Sequence, residues 1–395
     1  MIISYRYPIF PSKEVERKLV EALDTCRWLY NRLLEELNKA RDSGKKLRAY
    51  DTQNLIPFLK SENPNLGTVY SKVLQTVNYT LHSNIASLAA LKRNGREVGH
   101  VRFKGKRWYN TLNYNQSGFK LDQDHGILKL SKIGEIKIKL YRKIEGRIKA
   151  VLIKRVGDRW FAVVQAEQEP EPLSETGNAV GLDVGLKSFV VDSDGNSVEN
   201  PRFAEKAAVK VKNIQRRLSR AQKGSNNLRK LRDKLDKAHE RINNQRSDFL
   251  HKLSRMYVNE YDIICVEDLD VKGLKEKGHD KEKHRNIHDA SWSKFMFMLS
   301  YKAQSAGRKL IAVDPRNTSQ RCSYCGSIVK KELSDRIHNC PYCGFSSDRD
   351  YNAAVNILSA GMEQPVAPIE SKPLHHISVM QVLAMMWEAL PFRVG

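Results

Sequence analysis

"VGLDVGLKSFVVDSDGN", residues 180–196, decides how the second half of the chain is read. An apolar run ends on Asp183, a glycine-containing turn follows, and a second apolar run stops at Asp194-Gly195. Runs that are apolar on both faces are strands buried within a sheet. Two more such strands lie downstream, "YDIICVEDLD" (261–270) and "RKLIAVDP" (308–315). Between the first two lies a helical stretch, 202–260, with 17 Lys/Arg against 6 Asp/Glu. There Leu228, Leu231, Leu235, Ala238 and Ile242 step by three and four, as in a helical hairpin or coiled pair. The pattern is α/β.

Two of these strands end on acids, Asp183 and Glu267, and a third acid, Asp350, opens the helical pattern "RDYNAAVNILSAG" (349–361), read as ending at Gly361. Strand ends beside helix starts are where α/β sheets place their sites. Carboxylates are hard ligands suited to Mg²⁺ or Mn²⁺, and paired ions of that kind assist phosphodiester cleavage. Residue by residue the bland reading competes: a strand-end Asp is often a cap or turn former. Asp268 and Asp270 compete with Glu267, and Asp348 with Asp350, where Asp348 would serve as a helix cap.

Just before Asp350 stands "CSYCGSIVKKELSDRIHNCPYCG", two C-x-x-C pairs separated by fourteen residues. Cys322, Cys325, Cys340 and Cys343 complete a tetrahedral zinc shell, so the zinc is structural and leaves no open position. His338 is a competing ligand that four thiolates make unnecessary. Cys26 and Cys265 sit in apolar patterns and read as core thiols.

The first half has a different texture. Residues 2–10 read as a strand. Ser12 caps a helix whose buried face is Val15, Leu19, Leu23, Cys26, Tyr30, Leu33 and Leu37. Shorter helical patterns follow at 51–60 and 67–93. From about 98, short alternating runs split by turns describe a small antiparallel sheet or barrel. "EPEPLSETGN", 169–178, is a linker. "RFKGKRWYNTLNY" (102–114) interleaves Lys104, Lys106 and Arg107 with Phe103, Trp108, Tyr109 and Tyr114, which suits phosphate contact and base stacking as well as it suits a solvated amphipathic strand. Arg216, Arg217 and Arg220 on the basic helices are further candidates for nucleic-acid contact.

Over all 395 residues, Lys+Arg number 68 against 45 Asp+Glu, a net charge of +23. That excess favours a polyanionic partner. No apolar run reaches the ~18 residues of a membrane span, and the start is too short and polar for a signal peptide. The expectation is a soluble, intracellular protein without a membrane partner.

Taken together, "GLDVGLKSFVV", "IICVEDLDVKGL", "NTSQRCSYCG" and "NCPYCGFSSDRDYNAAVNIL" closely resemble the TnpB family, the RNA-guided endonucleases of insertion sequences, long called transposases and related to type V CRISPR effectors. "LDTCRWLYNRLLEE" near the start and "FRVG" at the end extend the likeness over nearly the whole chain.

The resemblance implies an RNase H-like (RuvC) domain with Asp183, Glu267 and Asp350 as catalytic, Mg²⁺-binding acids. It selects Glu267 over Asp268 and Asp350 over Asp348. It implies a β-rich wedge domain (1–10 and 94–170) interrupted by a helical recognition insertion (11–93). The nuclease domain then runs over 178–317, the inserted zinc ribbon over 318–346, the final nuclease part over 347–361 and a loosely attached tail over 362–395. It further implies a guide RNA from the element's end, double-stranded target DNA beside a short flanking motif, and a prokaryotic cytoplasmic setting at the nucleoid. A separate transposase of the same element is a further candidate partner. The rival readings are a DNA-joining transposase, a nuclease-inactive guided regulator, and an actin-like ATPase through "GLDVG". The last lacks a second strand-borne D-x-G, since those at Asp42 and Asp124 follow no apolar strand.

Overall fold

The computed structural model describes residues 1–106, 108–269, 289–332, 335–363 and 374–384. The chain forms two compact units, Met1–Glu169 and Pro170–Gly395.

In the first unit, β1 (Ile2–Phe10) leads into three helices, α1 (Lys13–Asp42), α2 (Ala49–Glu62) and α3 (Ser71–Arg93). Ser12 caps α1 by accepting from the Val15 amide, and Leu19, Cys26, Leu29 and Leu33 are fully buried along its inner face. Six strands follow: β2 (Thr111–Asn115), β3 (Phe119–Asp122), β4 (Ile127–Leu130), β5 (Gly134–Ile138), β6 (Arg147–Val156) and β7 (Arg159–Glu167). Their sheet has the order β2-β6-β7-β1-β5-β4-β3, so the first strand lies in the middle, antiparallel to β7 and β5. The helices thus interrupt the sheet's sequence but not its hydrogen bonding. Tyr114 on edge strand β2 donates to the carbonyl of Ser131, just past β4, which draws the sheet toward a barrel.

In the second unit the strands are β8 (Ala179–Val184), β9 (Ser188–Asp192), β10 (Asn196–Glu199), β11 (Ile263–Glu267) and β12 (Lys309–Val313). β8 pairs parallel with β11, and β11 with β12, while β9 and β10 return antiparallel. Helices α4 (Phe203–Arg220) and α5 (Asn226–Glu260) are the expected hairpin. α5 buries Phe249, Leu250, Leu253 and Tyr257, and α6 (Trp292–Ser305) packs on it. A two-stranded ribbon, β13 (Ile337–Asn339) and β14 (Ser346–Asp348), leads into α7 (Arg349–Met362).

Two expectations need correction. α7 does not end at Gly361 but runs to Met362 and stops at Glu363, whose φ of 55° is left-handed. Gly361 lies inside the helix, where a Cβ would stand 2.3 Å from the Cys265 sulfur, so the glycine serves close packing rather than termination. Part of the stretch read as a loose tail is also built into the fold. β15 (His375–Ile377) pairs parallel with β10, and α8 (Val379–Ala384) buries Val382 against α5.

Candidate active site and metal centre

The parallel register of the second sheet brings two acids level. Cys265 pairs with Gly181 and Val266 with Leu182, so Glu267 follows beside Asp183 on the same face. Helix α7 crosses that face directly over the strands. A Cβ on Gly181 would lie 2.1 Å from the Ala354 carbonyl, so only glycine admits the helix there. Two residues along β8 is Asp183, and one turn back along α7 from Ala354 is Asp350. Close packing at Gly181 and Gly361 is therefore what places Asp350 over the two strand acids.

The three carboxylates are half-buried and electrically coupled. Burial holds Asp183 well above the ordinary carboxylate range, and repulsion from Glu267 and Asp350 adds to it. Burial raises Glu267 as well, offset by a hydrogen bond from Thr318 Oγ1 at 2.5 Å. Asp350 is raised by burial and by Asp348, and lowered by Arg336, Arg349 and Lys187. The carboxylate oxygens of the three acids are hard ligands of the kind that could hold a divalent cation. Asp348 takes the capping role: its Oδ1 accepts from the amides of Asp350 (2.8 Å) and Tyr351. Asp268 is exposed and Asp270 lies outside the described residues.

The four cysteines come together. Their sulfurs all lie within 4.8 Å of one another, with Cys322–Cys343 at 3.7 Å and Cys325–Cys340 at 3.6 Å. A tetrahedron with arms of ~2.3 Å has edges of ~3.8 Å, so the quartet fits zinc. Each pair sits on the same turn: the Gly326 amide donates to the Cys322 carbonyl and the Gly344 amide to that of Cys340. Both glycines have φ near +77°, which the knuckle requires. His338 is fully buried, and its Nδ1 meets Lys331.

The two centres share walls, through residues that the sequence reading did not single out. Asn352 on α7 accepts from the Ser323 amide, inside the first knuckle, and donates to the Arg321 carbonyl. Asn356, one turn on, donates to the carbonyls of Thr318 and Arg321. The segment entering the zinc knuckle is thus clamped to the helix of Asp350, and its Thr318 touches Glu267. The visible signal was the i, i+4 asparagine pair on an otherwise apolar face.

The nucleic-acid candidates divide. Trp108 is 79% exposed and Lys106 is exposed, but Tyr109 packs against the core beside Tyr30 and Tyr114 is buried, so neither ring can take a base. Lys104 has its backbone held by Asn31 and its ammonium over the Tyr30 ring. Arg107 lies outside the described residues. Arg216, Arg217 and Arg220 are exposed on α4. Two unforeseen surfaces join them in the first unit. One is a cation–aromatic group in which Arg6 and Arg159 flank Phe161 and Arg142 covers Tyr5. The other is a pocket of about 390 Å³ lined by Lys72, Gln75, Tyr79, Asn113, Asn115 and Gln116.

The second unit thus joins a sheet carrying clustered acids to a cysteine quartet that fits zinc, and similarity to known chains says which family has these features. Family models match in three places: OrfB of IS605, described as "Probable transposase", over 162–278, the "Cas12f1-like, TNB domain" over 292–357, and a "Helix-turn-helix domain" over 1–46, here a strand and one long helix. A "Putative RNA-guided DNA endonuclease" of Streptomyces pristinaespiralis is 32% identical over 370 residues, 91% of this chain and 89% of the relative. InsQ of Escherichia coli (strain K12), with the same designation, is 28% identical over 95% of this chain and 98% of its own. A solved structure of the mini-RNA-guided endonuclease CRISPR-Cas_phi3 aligns over 93% of each chain at 10% identity, with a TM-score of 0.43 too low to carry an argument. The chain belongs to the TnpB family.

Proposed function

We propose that this chain is an RNA-guided DNA endonuclease that cuts at Asp183, Glu267 and Asp350. The observation that carries the reading is the convergence of Glu267 and Asp350 on Asp183, which their charges push up, at one sheet face in a chain of net charge +23. In that setting the acids require a cation, and the cation permits approach of a phosphodiester. The strand order β10-β9-β8-β11-β12, with the second strand antiparallel, supports an RNase H-like (RuvC) assignment. The designations of the relatives support guidance by RNA.

Asp183, Glu267 and Asp350 would hold Mg²⁺ or Mn²⁺, which when bound supplies water activation and stabilisation of the leaving oxygen. Thr318 keeps the Glu267 carboxylate aimed, and Asp348 fixes the first turn of α7. The zinc ribbon braces that turn from the other side. Lys106, Trp108 and the exposed arginines of α4 hold guide and duplex by backbone and shape. The amide-lined pocket of the first unit suits base-edge reading of a short flanking motif, because Asn and Gln can bond adenine at two points.

The test is direct. The chain is purified with its copurifying RNA, and that RNA is sequenced. Guided cleavage of a plasmid library with a randomised flank is then measured with Mg²⁺. Free ends that depend on the guide and are lost in Asp183→Ala support the reading. Strand-transfer products, or undiminished cutting by Asp183→Ala, refute it.

A further inference from the structure

A pocket of about 330 Å³ in the second unit is lined by Leu186, Lys187, Asn200, Arg202, Asp289 and Arg336. Its walls come from four places: the β8–β9 turn, the loop before α4, the residues before α6 and the zinc ribbon. Asn200, itself buried, ties two of them, donating to the Leu186 carbonyl and accepting from the Arg202 amide. Arg202 is held in the left-handed region (φ 46°, ψ 46°), a conformation a non-glycine residue keeps only when its surroundings impose it.

The charge of this pocket is positive. Asp289 is its one acid, and that carboxylate is spoken for: it pairs with Arg246 at 2.5 Å and accepts from the Ala204 amide. Arg202 has only a loose contact with Glu205, at 3.7 Å and largely in solvent. Lys187 and Arg336 are exposed, and their side chains make no hydrogen bond or close ion pair among the described residues. Lys187 stands four residues beyond Asp183, and the Arg336 carbonyl accepts from the amide of Arg349, the residue before Asp350. The open cations thus border the acid cluster.

We infer that Lys187, Arg202 and Arg336 form a phosphate seat, which holds a neighbouring phosphodiester of the strand being cut and so sets which bond reaches the acids. The inference deepens the nuclease reading and rests on it. Positive groups that merely balanced the carboxylates would pair with them. These instead line a cavity of their own, wide enough for a phosphate and its flanking sugars. Arg336 offers a planar fork and Lys187 a point charge, the usual division of labour around phosphate.

The experiment measures single-turnover cleavage by the guide-loaded chain on substrates carrying one neutral methylphosphonate, scanned along both strands about the cut. Arg336→Gln and Lys187→Gln are tested beside the unaltered chain, with melting temperature and zinc content confirming that each is folded. Each variant should slow cutting by roughly tenfold to a hundredfold, the range for one charge-assisted hydrogen bond. At one position next to the cut, the neutral phosphate should slow the unaltered chain by a similar factor and the variants no further. Target binding, measured in the Asp183→Ala background, should change less than cleavage does. Variants that cut at the unaltered rate, or losses that multiply at every position, would overturn the seat while leaving the nuclease reading intact. No guided cutting by the unaltered chain would overturn both.

Discussion

The two candidate metal centres meet where Asp350 follows Cys343 by seven residues, and they are built on opposite plans. The thiolate centre draws its four ligands from one segment, Cys322 to Cys343, through two copies of the same glycine-closed turn. The carboxylate centre draws its three from two strands and a helix, Asp183 to Asp350, and its geometry depends on sheet register and on glycines at a helix–sheet contact. The sulfurs are gathered within 4.8 Å of one another; the carboxylates are not held to that limit. A locally encoded site is assembled by turns, whereas a dispersed one is assembled by packing. The two should therefore fail to different insults.

The largest expected effect separates them by chemistry. Asp183→Ala should lower cleavage by at least about a thousandfold, the scale on which a lost ion-holding ligand acts. Zinc content, read by elemental analysis, and guide binding should stay unchanged. Gly181→Ala comes next and tests packing: the new methyl meets the Ala354 carbonyl, α7 must lift, and cleavage should fall roughly a hundredfold, as when reacting groups move by ~1 Å. The zinc should again remain, and loss of zinc in this variant would show that the plans are not independent.

Cys340→Ser attacks the other centre. Zinc content should drop, the melting temperature should fall, and cleavage should decline by roughly tenfold or more as the clamp from Ser323 and Arg321 onto Asn352 and Asn356 slackens. Full activity without zinc would sever the proposed link between the centres. The smallest effect is expected at Thr318. Replacement by Val removes one hydrogen bond to Glu267, worth about 1 kcal/mol net, and should cost about fivefold in rate. Thr318→Ser should restore it. A Val variant as active as the Ser variant would leave the contact without a role.

Legibility in the sequence follows the same divide. The zinc ribbon could be read from spacing alone, because its geometry is local. The strands around Asp183 and Glu267 were legible as buried runs, and the capping role of Asp348 from its place before a helix. The choice of Glu267 over its acidic neighbours came from family resemblance, because a run of acids at a strand end does not say which one meets a partner strand in register. Tyr114 looked like a stacking ring because alternation shows that a strand has two faces and not which is inward, and Tyr109, just before β2, turns inward against Tyr30. The phosphate seat was invisible: its cations lie far apart in the chain and only the fold unites them.

One addition to the second sheet reaches past catalysis. By pairing with β10, β15 occupies a row of backbone donors and acceptors that would otherwise face solvent. Bare strand edges recruit other chains. Shortening this protein before residue 374 would therefore trade a nuclease problem for a colloidal one, with self-association through β10 emerging ahead of any loss at the acids. The segment works as a selvedge, keeping the sheet from joining to its neighbours.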